Sequence, residues 1–163
     1  MFEPPAISHE VTKLELYNIL KRQVVSLLEG ETDFIANSAN FASLLFHSLP
    51  AVNWVGFYYV KTDDLVLGPL QGQPACVGIR IGKGVCGTAA LSRTSIIVDN
   101  VHEFQGHIAC DSNSNSEIVI PLLHNGILIG VLDIDSPIFN RFDEFDLKEL
   151  EELTALLLHF SHL

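Results

Sequence analysis

The chain has 163 residues, of which 48% are hydrophobic, and nine Lys and Arg against 20 Asp and Glu leave a net charge of −11. That is the length of one domain, with ample material for a core and too much of it for disorder. The acidic balance disfavours nucleic acid and anionic membrane, which both favour a basic face, and suits a site that receives a cation.

In chain order, the opening MFEPPAISHEVTKLELYN is polar and acidic and does not read as a secretory signal. Leu14, Tyr17, Leu20, Val24 and Leu27 recur at helical spacing and predict a first helix over about 10–29. A second helix runs through SANFASLLFHSL and stops at Pro50. NWVGFYYV and DLVLGPL are strands joined by a turn at Thr62-Asp63, and CVGIRI is a third. GVCGTAALSR, with no β-branched run after Val85, is a short helix, and SIIVD is a strand. A polar loop over 99–116 follows, at about 18 residues long enough to be a lid or a binding loop. EIVIPLL and ILIGVLDID form a hairpin about His124-Asn125-Gly126. A last helix starts near Asp143 and carries Leu147, Leu150, Leu153, Leu157 and Phe160 on one stripe. Short turns between neighbouring strands exclude a doubly wound parallel sheet. The expectation is an α+β fold, a central antiparallel sheet of about six strands with the terminal helices packed on one face. No run is long enough to span a bilayer.

The three cysteines, Cys76, Cys86 and Cys110, make an odd number without a CxxC pair. That argues against a secreted disulfide framework and a structural zinc site, and places the chain in the reducing cytosol. Cys110 is the unusual one. Free cysteine normally hides in a core, yet Cys110 sits in the polar loop between His107 and Asp111. Cys86 lies at a helix start, where peptide dipoles can lower a thiol pKa. Cys76 follows the turn-rich GPLQGQPA. Each of these two alone reads as structural; together with Cys110 they admit a nucleophile with a resolving partner. The spacing His102-x4-His107-x2-Cys110 matches no usual zinc pattern, so no metal is expected and the histidines are assigned to ordering the loop. GIRIGKG lacks the spacing of a phosphate loop. No cofactor is called for.

Strand alternation puts Asp133 and Asp135 on one face, with Ile127, Ile129 and Val131 ahead of them. The position of Glu117 depends on the hairpin. A two-residue Asn125-Gly126 turn sets it opposite Ile134, away from the aspartates; a three-residue loop sets it opposite Asp133. The expectation is the three-residue loop, with Glu117, Asp133 and Asp135 converging. Converging carboxylates repel, so one keeps a proton near neutral pH and is available as a general acid. Trp54 and Tyr58 share a strand face with Gly56 between them, either as core or as a pocket for a methyl or thioether group.

NWVGFY, GPLQGQPAC, GKGVCG, VHEFQGHIACD, SEIVIPLL and GVLDIDSP, in this order and spacing, resemble the free methionine-(R)-sulfoxide reductases, which are single GAF domains. Leu70 and Gln105 stand where the pattern has Phe and Pro. The resemblance covers nearly the whole chain and implies one GAF domain over 1–163. It implies that Cys110 is the nucleophile, Cys76 the main resolving cysteine and Cys86 an auxiliary thiol. Glu117, Asp133 and Asp135 resemble the carboxylates that bind the amino group and assist oxygen departure, and Trp54 and Tyr58 the box around the methyl-sulfur end. The implied reaction consumes free methionine sulfoxide and is recycled by an external dithiol such as thioredoxin. A homodimer is a further expectation of the fold family. Two other classes compete: a non-catalytic small-molecule-sensing module, and a thiol peroxidase or redox sensor. The first lacks an output domain within these residues, and the second has no use for three carboxylates.

Overall fold

Helix α1, Lys13–Leu28, begins where Thr12 and Glu15 cap each other's backbone N–H groups. It buries Leu16, Tyr17, Leu20, Val24 and Leu28. Leu14 was expected on this stripe but is 55% exposed, because it lies about a quarter-turn from the stripe's centre. Helix α2 is Phe34–Ser48 and starts ahead of the SANFASLL run, since the Asp33 side chain accepts the Ala36 N–H and caps it there. The computed structural model describes residues 11–108 and 112–163, so the expectations for Cys110 and Asp111 lie outside the described residues.

The strands are β1 Trp54–Lys61, β2 Asp64–Gln71, β3 Gly78–Arg80, β4 Ile96–Val98, β5 Ser116–His124 and β6 Ile127–Ser136. They form one sheet in the order β3-β2-β1-β6-β5-β4, antiparallel at every pairing. Helix α3, Gly84–Ser92, lies between β3 and β4 in sequence, and α4, Glu144–Phe160, closes the described chain. This is the expected α+β architecture.

The sheet separates two apolar clusters. On one face α1, α2 and α4 pack through Leu20, Val24, Phe41, Leu45, Leu150, Leu153 and Leu157 against Phe57, Ile118, Leu132 and Ile134. Buried Asp146 fastens α1 to α4: it accepts the Tyr17 hydroxyl at 2.7 Å and the Lys13 ammonium at 2.6 Å. The other face carries α3, whose Val85, Cys86, Ala89 and Ala90 lie on Tyr58, Val119 and Val131. This second face holds every described residue of the candidate site.

The β5–β6 hairpin departs from the expected register. Its turn is the two-residue Asn125-Gly126, with φ of 51° and 77°, the all-positive geometry that matches strand twist. His124 therefore pairs with Ile127 and Leu123 with Leu128, but Leu122 pairs with Gly130. Ile129 is the extra residue of a β-bulge, and the bulge shifts everything beyond it by one position. Glu117 comes to face Asp135 rather than Asp133 or Ile134. The bulge also moves Ile129 to the helical face and brings Leu128 to the site face. The expected convergence of carboxylates stands, for a different reason.

Candidate active site

A single row runs across the sheet at the rim of the second face: Trp54 pairs with Asp135, Asp135 with Glu117, and Glu117 with Val98. Asp133 sits two residues along β6, opposite Gly56. Side chains directly opposed on one face lie about 4.5–5.5 Å apart at Cβ, so strand pairing alone gathers the acids beside the indole. Glu117 is 5% exposed and Asp133 7%, while Asp135 is half-buried.

Cys86 comes to the same place from α3. Its sulfur is 3.9 Å from Glu117 Oε1, the thiol donating to the carboxylate. The helix-start position was expected to lower its pKa. The opposite holds: burial pushes the thiol well up, and the charges of Asp133 and Glu117 push it further. The magnitudes decide this, because a helix terminus contributes at most about 2 kcal/mol, whereas full burial shifts a pKa by about 3–5 units. Burial likewise raises Glu117 well above the usual carboxylate range, assisted by Asp133 and Asp135. Asp133 is raised to about 6 by burial, with the neighbouring Cys86 and Glu117 groups pulling the other way. Protons are thus held in this cluster at a pH where exposed carboxyls have lost theirs.

The aromatic pair faces the acids. Trp54 and Tyr58 stack with ring centroids 6.0 Å apart and planes 23° from parallel. Gly56 makes this possible, since a Cβ there would run into the Trp54 ring and lie 2.8 Å from Leu70 Cβ. Their polar tips reach the 72–76 segment: Trp54 Nε1 donates to the Gln73 carbonyl at 3.0 Å and the Tyr58 hydroxyl to the Cys76 carbonyl at 3.1 Å. The box therefore also positions the segment that carries Cys76. That sulfur is disulfide-bonded, and Cys86 is a free buried thiol.

The two loop histidines differ. His102 does order the loop, its ring nitrogen 2.9 Å from Asn115 Oδ1. His107 instead faces the site, with Nε2 3.7 Å from Glu117 Oε2, and burial lowers its pKa. Nothing in the sequence distinguished the two. Ser114, also missed, lines the same cavity and accepts a hydrogen bond from Asn53 Nδ2 at 3.2 Å. The cavity between His107, Ile108, Cys86 and the three carboxylates has about 30 Å³ of free volume, room for a water or an ion.

Comparison with known proteins agrees with this architecture. A family model described as GAF domain matches residues 43–159. The chain is 50% identical over 147 residues to the free methionine-R-sulfoxide reductase of Escherichia coli, covering 90% of this chain and 89% of that one. The free methionine-R-sulfoxide reductase of Neisseria meningitidis, solved in complex with its substrate, superposes with a TM-score of 0.91 at 42% identity, covering 97% and 95% of the two chains. The reduced form of fRMsr from Staphylococcus aureus gives 0.88 at 48% identity, over 95% and 99%. With the carboxylate row and the aromatic pair in place on a matching fold, the chain belongs to the GAF-domain family, within its free methionine-(R)-sulfoxide reductase group.

Proposed function

We propose that this protein, as a single GAF domain over 1–163, reduces free methionine-(R)-sulfoxide to methionine. The observation that carries the reading is the row Trp54–Asp135–Glu117 with Asp133 beside it, a box for a methyl-sulfur end next to acids that suit an ammonium group. The names of its relatives and the substrate complex of the Neisseria meningitidis protein support the same substrate.

In the proposed mechanism the Cys110 thiolate attacks the sulfoxide sulfur. The S–O bond breaks as a carboxylic acid protonates the oxygen, and the oxygen ends on Cys110 as a sulfenic acid while methionine leaves. Of the two candidate acids, Glu117 and Asp135, we assign the proton to Glu117, which is the more buried. Asp133 and Asp135 hold the substrate ammonium. The Cys76 thiol then condenses with the sulfenic acid, releasing water and forming a disulfide. An external dithiol of the thioredoxin type reduces that disulfide, so the balance is sulfoxide plus dithiol to thioether, disulfide and water. A disulfide-bonded Cys76 beside a free Cys86 supports this division of labour. The raised Cys86 pKa disfavours its thiolate, so its auxiliary role is as a hydrogen-bond donor to Glu117. No described helix is long and apolar enough to cross a membrane, and the chemistry suits a reducing cytosol. A homodimer belongs to the same proposal.

The test is methionine release from separated R and S epimers, free and peptide-bound, with thioredoxin recycling. Activity confined to the free R epimer supports the reading. Turnover of peroxide with no methionine formed overturns it in favour of a peroxidase. Cys110→Ser is to abolish even one turnover, whereas Cys76→Ser keeps the first and slows the rest.

A further inference from the structure

We propose that Cys86, Glu117 and Asp133 form a binding site for a borderline divalent transition metal of the Zn²⁺ type, with His107 as a fourth donor. The sulfur and one oxygen from each carboxylate lie within 4.8 Å of one another, and all three residues are buried. No sequence spacing links these donors. They come from α3, β5 and β6, which pack together on the second face.

A second observation points to a ligand. Asp133 is only 7% exposed, yet its Oδ1 has no hydrogen-bond partner and the residue lines the cavity. An orphaned carboxylate oxygen in a buried cavity is costly unless something positive or a donor occupies the space. No lysine or arginine is among the described residues that line this cavity.

The geometry suits a small ion. With metal–sulfur bonds of about 2.3 Å and metal–oxygen or metal–nitrogen bonds of about 2.0–2.2 Å, tetrahedral edges come to about 3.3–3.6 Å. Glu117 faces the Cys86 sulfur at 3.9 Å with one oxygen and His107 Nε2 at 3.7 Å with the other. Closing the shell draws the Cys86, Glu117 and Asp133 donors in from within 4.8 Å of one another, a contraction of up to about 1.5 Å, with His107 moving in beside them. Thiolate and imidazole donors select Zn²⁺ over Mg²⁺ or Ca²⁺, which prefer all-oxygen shells. Ligation releases the thiol proton and any carboxyl proton to solvent. The ion would occupy the acids assigned above to the substrate ammonium, so ion and substrate exclude each other. Only that consequence rests on the reductase reading.

The experiment uses the untagged chain with Cys76→Ser and Cys110→Ser, so that Cys86 is the only thiol, titrated with Co²⁺ and then Zn²⁺. The expected result is one equivalent of Co²⁺ bound with a sulfur-to-cobalt charge-transfer band, displaced by Zn²⁺ and untouched by Mg²⁺. Adding Cys86→Ala removes the band, and Asp133→Asn weakens binding by about tenfold or more. Absence of the band, or its survival in the Cys86→Ala chain, overturns the proposal. Should the Cys86→Ala chain fail to fold, unchanged Co²⁺ affinity in the Asp133→Asn chain overturns it equally. In the wild-type chain Zn²⁺ is expected to raise KM for methionine sulfoxide without changing kcat. If the chain does not reduce methionine sulfoxide, the cobalt spectrum still decides the metal site.

Discussion

Glu117 stands directly across the hairpin from Asp135, and it does so because Ile129 bulges out of β6. Without the bulge, the two-residue Asn125-Gly126 turn would set Glu117 against Ile134 and turn Asp133 and Asp135 to the opposite face. With it, three acids share one end of one face. If Glu117 supplies the proton to the departing oxygen, Glu117→Gln keeps the shape and hydrogen-bonding reach but removes the acid. The single-turnover rate of methionine formation should then fall by about 10²–10⁴. Binding of the product methionine should change far less. A rate within about threefold of wild type would transfer the role to Asp135.

Gly56 is buried in β1 between Trp54 and Tyr58, and its missing side chain is what lets the indole fold back over the strand. An added methyl collides with that ring and with Leu70 Cβ, 2.8 Å away. Gly56→Ala should cost about 1–3 kcal/mol in denaturant unfolding, as overpacking does. Because the displaced group is half of the aromatic box, KM for the sulfoxide should rise in the same variant. Loss of stability with unchanged KM would separate the box from the substrate.

Much of this was readable from residue order, and the misses have physical causes. Strand alternation in EIVIPLL and GVLDID exposed the hairpin and the shared face of Asp133 and Asp135. The apolar stripe placed the start of α4 near Asp143, which is its N-cap. The start of α2 is set by the Asp33 cap and lies ahead of the apolar run that signals the helix in the sequence. The bulge had one local signal, Gly130, since a glycine inside a strand pattern marks a bulge or a close backbone approach. Here it marks both, as a Cβ at Gly130 would overlap the Tyr58 carbonyl. The environment of Cys86 was not legible at all. Its helix-start position is a local property, but the burial and the facing carboxylates that outweigh it come from strands more than thirty residues away in sequence.

The acid limb of stability offers a test away from the site. Asp143 caps α4 and its pKa is lowered, first by its hydrogen bond with Lys13 and then by the backbone N–H of Asp146. A carboxyl depressed in the folded state contributes stability that is whole above its ordinary pKa of 3.8 and is lost as pH falls through the lower folded value. Its side chain is 62% exposed, so solvent screening keeps the effect small. Thermal unfolding followed from pH 5 downward, about the range in which carboxylates titrate, should show a shallower loss for Asp143→Asn than for wild type. Both chains should converge once the carboxyl is fully protonated. Parallel curves would mean that the cap carries no charge-dependent stability.

Tyr58 has two parts that can be tested separately. Its ring stacks on Trp54, and its hydroxyl holds the Cys76 carbonyl at 3.1 Å. Tyr58→Phe keeps the ring and releases the carbonyl, at a net cost of about 0.5–1.5 kcal/mol. If the hydroxyl serves to present Cys76, the first turnover should proceed at the wild-type rate, because the ring still meets the substrate. Disulfide formation after it should slow by about the factor of 2–13 that this energy corresponds to. Rapid-quench trapping of the sulfenic acid with a dimedone-type reagent reads this directly: the intermediate should persist longer in Tyr58→Phe. A slowed first turnover with unchanged sulfenic acid lifetime would place the hydroxyl on the substrate instead of on the resolving segment.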